Sequence, residues 1–337
     1  MASSSSYRHA ATASASVPQA RLSHLLLLFA LCLLLVAIPA QAAQKSILLL
    51  SSGSAKVYQR VSSSIGASLQ RLCSSADRPG CAEYRILEST LDGDDTETST
   101  DATRWNLVVT IGVKAANHAN KRFPAAARLY TLIPKSSTAD LGLESAAGSA
   151  SAIYLDQPIT RQLNLIKLAM AGDIRIGALL GPTTDHLRSL VEMASSSLNL
   201  TTHIESVAND DEIGPALRRT LDESDILLAL PDPLIYNQKT IFNILLSSYH
   251  NRIPVVGFSA SYVRAGAMLA VYSNPDDIGM QIAEVVESYL AGAEKLPRPQ
   301  FPKYFSIEIN RSVSRSLGIN LPDERQLTKS LKSLEGR

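Results

Sequence analysis

The chain has 337 residues, with 32 Lys and Arg against 31 Asp and Glu, and 45% of it is hydrophobic. A charge balance this close to zero, with no basic face and no acidic tail, argues against nucleic acid as a partner. The length is sufficient for two domains of ordinary size.

Residues 1–42 differ from the rest. A Ser/Ala-rich head carries Arg8 and Arg21, an apolar run covers 25–38, and Pro39-Ala40-Gln41-Ala42 follows. A charged head, a short apolar stretch and an A-x-A site predict a secretory signal cut after Ala42, and so an exported protein. The alternative, a membrane anchor, would need roughly 20 apolar residues. Leu31 stands before Cys32 where a lipoprotein signal would place a small residue. Beyond the signal, Cys73 and Cys81 flank a turn containing Pro79-Gly80, and in an oxidising compartment this pair is expected to form a disulfide. With no His or further Cys nearby, no metal site is expected there.

In chain order, 46–52 reads as a buried strand ending in Ser51-Ser52-Gly53, and 57–72 as a helix with Val57, Val61, Ile65, Leu69 and Leu72 at helical spacing. A strand at 83–87 precedes a polar loop at 91–103. A strand over 105–111 then ends at Gly112, a helix covers 115–123, and a strand covers 128–133. The stretch 134–151, rich in Ser, Gly and Ala, predicts a loop or crossing segment. The plan then repeats: a strand at 175–180, a turn at Gly181-Pro182-Thr183, a helix at 185–198 capped by Thr183 or Thr184, a strand at 202–206 and a helix at 211–221.

The most ordered stretch is 224–261. It predicts a buried strand (226–230), a Pro231-Asp232-Pro233 turn, a helix (236–247) and a second buried strand (253–258) ending at Ser259. Continuous apolar strands alternating with helices predict a parallel sheet covered on both faces, with ligands beyond the strand carboxyl ends. A strand at 267–272, a helix at 275–290, a Pro-rich crossing at 296–303 and a strand at 304–309 close the chain, followed by a polar helical tail. The late strand and helix are expected to complete the first lobe, and 304–309 the second. This gives lobe 1 as 43–155 plus 264–295, and lobe 2 as 156–263 plus 296–337. Two similar α/β halves predict a bilobed protein with a cleft between Rossmann-like lobes.

The run Leu155-Asp156-Gln157-Pro158-Ile159-Thr160-Arg161-Gln162-Leu163, the run Leu230-Pro231-Asp232-Pro233-Leu234-Ile235-Tyr236-Asn237, the run Arg252-Ile253-Pro254-Val255-Val256-Gly257-Phe258-Ser259 and the run Val263-Arg264-Ala265-Gly266-Ala267 occur in this order. In them the chain resembles the substrate-binding proteins of ABC transporters, in the subgroup that includes tryptophan/tyrosine-type binders. The resemblance implies a type I periplasmic-binding-protein fold of two lobes joined by three crossings, closing on a small molecule for a membrane permease. Where that family usually has Gly-Thr-x-Ala-Ala, this chain has Gly112-Val113-Lys114-Ala115-Ala116, which replaces a hydroxyl with a lysine nearby.

The candidate ligand residues are Ser52, Gly112, Lys114, Asp156, Gln157, Asp232, Tyr236, Ser259 and Tyr262. Each has a structural alternative. Asp232 could cap the following helix or face a ligand, and Tyr236 could pack on its helix or stack on a flat ligand. Ser259 and Tyr262 could be hinge residues, Asp156 could cap the helix after Pro158, and the turns at Ser52 and Gly112 could be needed only for tight geometry. No G-x-S-x-G, P-loop or G-x-G-x-x-G occurs, and His118, His186, His203 and His250 have no partner at ligand spacing. The expectation is a monomeric, non-enzymatic solute-binding protein without cofactor or nucleic acid, taking a small polar ligand such as an amino acid. The alternatives are an envelope sensing module and a hydrolase or isomerase on the same scaffold.

Overall fold

The computed structural model describes residues 44–74, 84–92, 105–143, 148–170, 172–293 and 295–336. The expected signal at 1–42, most of the polar loop at 91–103 and Cys81 lie outside the described residues. From Gln44 onward the chain forms one compact unit. It contains two α/β lobes, each built on its own sheet.

The first sheet has five parallel strands in the order β2-β1-β3-β4-β5: β1 Lys45–Ser51, β2 Tyr84–Thr90, β3 Leu107–Ile111, β4 Ala127–Ile133 and β5 Ala150–Tyr154. Strands such as β3, with the sequence LVVTI, are buried at every position because helices cover both faces. Helices α1 (Lys56–Cys73) and α8 (Pro275–Leu290) cover one face, where Val61, Ile65 and Leu69 meet Ile278, Ile282 and Val286. Helix α2 (Val113–Arg122) covers the other with Ala115, Ala116, Ala119 and Phe123. Gly279 lets α1 and α8 approach closely, since a Cβ there would lie 2.5 Å from the Ser64 Cβ.

The second sheet has six strands in the order β11-β10-β9-β8-β6-β7: β6 Arg175–Leu180, β7 Thr201–Ser206, β8 Ile226–Leu228, β9 Val255–Gly257, β10 Leu269–Tyr272 and β11 Ser306–Ile309. Only β11 runs antiparallel to its neighbour. Helices α3 (Ile159–Ala169), α4 (Arg188–Ser197) and α10 (Glu324–Leu334) pack on one face through Leu163, Ile166, Val191, Leu327 and Leu331. Helices α5 (Asp210–Asp222) and α6 (Ile241–His250) pack on the other through Ile213, Leu217, Ile244 and Leu245. Short helices α7 (Ala260–Ala265) and α9 (Arg311–Ser316) complete the lobe.

Three expectations are corrected. β10 stands in the second sheet between β9 and β11, not in the first lobe; its buried run LAVY aligns beside Val256 and Gly257, and only the helix after it returns to pack on α1. The stretch expected as a loop at 134–151 runs into β5, whose sequence ASAIY is buried on both faces and shows no alternation to read. Helix α6 starts at Ile241, because Asn237 and Thr240 use their side chains on the preceding turn instead of entering the helix. The start of α8 is as expected: Pro275 sits in its first turn behind a capping box formed by Asn274 and Asp277.

Three segments connect the lobes: 155–158 from β5 to α3, 273–274 from β10 to α8, and 291–305 from α8 to β11. The first two leave from strand carboxyl ends, so the carboxyl edges of both sheets lie at the interlobe side.

Candidate functional site

At the carboxyl edge of the first sheet, the turns after β1 and β3 and the bulge in β4 enclose a cavity of about 310 Å³. Its lining includes Ser52, Gly53, Tyr58, Asp92, Lys114 and Leu132. Ser52 and Lys114, predicted as candidates, come together here. The Ser52 hydroxyl is already engaged, accepting the Ala115 N–H at 2.9 Å at the start of α2, and the residue is buried. Gly112 has φ 96° and backs onto the pocket; a Cβ there would lie 2.5 Å from the Ser52 Oγ and 3.2 Å from the Tyr58 ring. Among the described residues, the groups on this wall without a bonded partner are the exposed Lys114 ammonium, the second oxygen of the Asp92 carboxylate and the Tyr58 side chain.

Asp92, like Tyr58, is a lining residue that the sequence reading missed. Its Oδ2 accepts the Ser54 N–H at 3.1 Å, so a carboxylate of the protein itself sits at the amino end of α1, where an anionic ligand group would otherwise be expected. In the sequence Asp92 is one of several acidic residues in a polar stretch, and nothing there distinguishes it. Leu132 is a third; it has φ 54° at a register shift in β4 and lines the same cavity. A bulged, left-handed non-glycine residue at a pocket wall is the kind of strained position found at binding sites. Within Leu-Ile-Pro it reads as ordinary strand.

On the second lobe, Asp232 is 2% exposed, and four donors satisfy it. Oδ2 accepts from the Thr183 N–H (3.2 Å), the Thr183 hydroxyl (2.7 Å) and the Thr184 hydroxyl (2.9 Å), and Oδ1 accepts from the Leu234 N–H (2.9 Å). It ties the turn after β6 to the turn after β8 and caps no helix. Gly181 is required beside it, since a Cβ there would lie 2.4 Å from Oδ1. The expected helix cap from Thr183 or Thr184 is absent, because both hydroxyls point to Asp232.

Tyr236 is 6% exposed and packs edge-on against Phe258 and Tyr262, with centroids 6.1 and 6.4 Å apart. Its hydroxyl has no hydrogen-bond partner among the described residues, and burial pushes its pKa well above the usual phenol range. Tyr262 lies against Phe258 at 4.2 Å and donates its hydroxyl to the Tyr236 carbonyl at 2.8 Å; burial pushes its pKa up to about 12. Tyr236 and Tyr262 thus form one aromatic cluster. Ser259 sits at the start of α7, its hydroxyl 2.7 Å from that of Ser261.

Asp156 and Gln157 lie on the first crossing. Asp156 does not cap α3; it accepts the Lys135 N–H at 2.6 Å, tying the crossing to the turn after β4. Desolvation raises its pKa, opposed by the Lys135 N–H and by the charges of Lys135 and His186, the latter from the second lobe. Gln157 is buried and both ends of its amide are bonded within the protein: Nε2 donates to the Ser273 Oγ, and Oε1 accepts from Arg161. Of the nine candidates, Lys114 is therefore the one on the pocket wall with its charged group uncommitted, while Gln157 and Asp232 are held by internal bonds. Among the described residues, no group of three His, Cys, Asp or Glu converges at metal spacing, and no helix is long and apolar enough to cross a membrane.

The fold is shared with solved structures of low sequence identity. A protein from Streptococcus pneumoniae solved in complex with L-Trp is 18% identical, with a TM-score of 0.56 over 85% of this chain and 98% of that one. A ligand-free, open substrate-binding protein with adhesive properties from Clostridium difficile is 15% identical, with a TM-score of 0.65 over 83% of this chain and 96% of that one. A conserved domain protein from Vibrio cholerae is 17% identical, with a TM-score of 0.55 over 83% and 96%. No curated protein matches the chain. The family profile described as ABC transporter substrate binding protein matches residues 150–331, more than half of the sequence. The chain, two α/β lobes with a pocket at a sheet's carboxyl edge, belongs to this family of substrate-binding proteins, which are not enzymes.

Proposed function

We propose that this protein is exported through its N-terminal segment and captures a small zwitterionic ligand of the amino-acid class between its lobes, for delivery to a membrane permease. The observation that carries this is the first-lobe pocket, where one uncommitted ammonium (Lys114) and one carboxylate oxygen of Asp92 stand on the same wall of a cavity of about 310 Å³. A ligand carrying both an ammonium and a carboxylate pairs with both groups. The Tyr58 side chain and Leu132 supply apolar contact for its remainder. The second lobe closes over it, with the Tyr236, Phe258 and Tyr262 rings backing its carboxyl edge. The L-Trp held by the Streptococcus pneumoniae protein is of this class.

Closure needs no chemistry, since a ligand touching both lobes stabilises the shut state by its differential contacts. We further propose that the protein acts as a monomer and that Cys73 pairs with Cys81, fixing the carboxyl end of α1.

The test is a thermal-shift screen of the purified protein against amino acids, sugars, nucleosides and small carboxylates. A ligand at about 100 times its Kd adds roughly 2.7 kcal/mol of stability. An amino acid that raises the melting temperature, with sugars and simple carboxylates inert, supports the reading. A screen without any shift overturns it.

A further inference from the structure

Among the described residues, the largest fully buried side chain is a charged one. Arg161, in the first turn of α3, is 1% exposed. Its Nη1 donates to the Gln157 Oε1 at 2.7 Å and to the Pro302 carbonyl at 2.9 Å. Its Nε and Nη2 meet both oxygens of Glu335, just after α10, at 2.5 and 2.8 Å. The guanidinium lies 4.3 Å from the Phe305 ring centroid. Such a fork held on every edge is the geometry that a lysine could not reproduce.

The partners of Arg161 are distributed over the connections between the lobes. Gln157 belongs to the first crossing and Pro302 to the third. Gln157 passes the contact to the second crossing, donating to the Ser273 Oγ at 3.0 Å, and Ser273 donates to the Tyr304 carbonyl at 2.5 Å. One hydrogen-bonded chain therefore links all three crossings. From the other side, buried Gln281 of α8 accepts the Lys303 N–H at 2.7 Å and donates to the Phe301 carbonyl at 3.3 Å. Arg161 of the second lobe and Gln281 of the first thus grip successive residues of the third crossing from opposite sides. Upstream, that crossing runs along β5, with Gln300 bonded to Tyr154 and Ala152 of the first lobe. The third crossing is thus bonded to the first lobe at Gln300 and to the second crossing at Tyr304.

We propose that Arg161 is the positioning residue of the interlobe hinge, held in place by Glu335, so that the carboxyl-terminal end of the chain sets the resting distance between the lobes. The proposal rests on the closure reading above. A buried guanidinium whose carboxylate is removed keeps its desolvation cost and must move or recruit water, and every crossing bonded to it is then released. Burial for stability alone would not require a hydrogen-bonded chain that runs from its guanidinium through Gln157 and Ser273 to all three crossings.

The experiment compares the wild type with Glu335→Gln and with the double variant Arg161→Met, Glu335→Leu, whose apolar pair of similar volume is expected to fold even where a lone buried charge would not. Spin labels at exposed Lys121 on α2 and Ser189 on α4 report the interlobe distance in the ligand-free protein. The wild type should give one narrow distribution. Both variants should stay folded, broaden that distribution by about half or more, and bind the amino acid found in the thermal-shift screen about fivefold or more weakly, because the hinge is no longer preorganised. Distributions as narrow as the wild type's, in variants that merely melt lower, would overturn the proposal and make Arg161 an ordinary core residue. If no screened compound binds the wild type, the solute-binding reading falls, while the distance measurement still decides the hinge assignment.

Discussion

Replacing Asp232 by alanine is expected to damage the fold before it damages binding. The substitution removes one carboxylate from four donors, at 2.7–3.2 Å, in a site with 2% exposure. Hydrogen bonds to a charged group contribute about 1.5–3 kcal/mol each, and a buried donor left without a partner costs about 1–3 kcal/mol. The four bonds share one carboxylate and are not additive, and the Thr183 groups lie near enough to the surface to be rehydrated. The Thr184 hydroxyl and the Leu234 N–H are the donors that remain costly, which puts the net loss at about 3 kcal/mol. For a lobe of this size a loss of about 3 kcal/mol corresponds to a melting shift of roughly 6–12 °C. Asp232→Asn keeps one acceptor but turns an amide N–H₂ toward a donor, and should lose part of the same amount. Calorimetric melts of the ligand-free proteins check this. If Asp232→Ala melts within about 2 °C of wild type yet loses ligand, the carboxylate belongs to the binding site and the structural reasoning is wrong.

Lys114→Ala removes an exposed charge, so it should leave the unfolding free energy within about 0.5 kcal/mol of wild type and weaken the amino-acid ligand about tenfold or more, as read by titration calorimetry. Gly112→Ala forces a Cβ into a backbone with φ 96° and against the Ser52 Oγ, so the denaturation midpoint should report a loss of about 1–3 kcal/mol. The Arg175 hydrogen bonds and charge hold the Asp225 pKa below its ordinary value. Its stabilising contribution is then present above the ordinary carboxylate range and lost as pH falls below about 4. Asp225→Asn should flatten the acid limb of the stability profile by at most about 1 kcal/mol, because the pair is largely exposed. An unchanged limb would show that the pair contributes nothing.

Much of the architecture was legible because buried parallel strands announce themselves. Runs such as Ile-Leu-Leu at β8 and Leu-Val-Val-Thr-Ile at β3 have no polar alternation, and the helices between them carry their apolar residues at helical spacing. What was not legible depends on contacts distant in sequence. β5 is built from small residues that look like loop, and β10 was expected in the first lobe, whereas it follows the second lobe's own strands and only the helix after it packs on α1. The site was read from residue type at strand ends, which picked out Ser52, Lys114 and Asp232 as candidates but not what each side chain is bonded to. Asp232 meets Thr183 and Thr184 across a gap of almost fifty residues, and Ser52 meets Ala115 across more than sixty. Arg161 and Glu335 lie 174 residues apart, so the tie between the crossings could not be read from local pattern.

The central claim is that a small ligand is bound by closing two lobes. It is tested most directly by small-angle X-ray scattering of the wild-type protein with and without the amino acid that raises its melting temperature most. A smaller radius of gyration at saturating ligand, returning to the free value on dialysis, is the predicted result. Stabilisation by that ligand with no change in the scattering curve would contradict capture by closure.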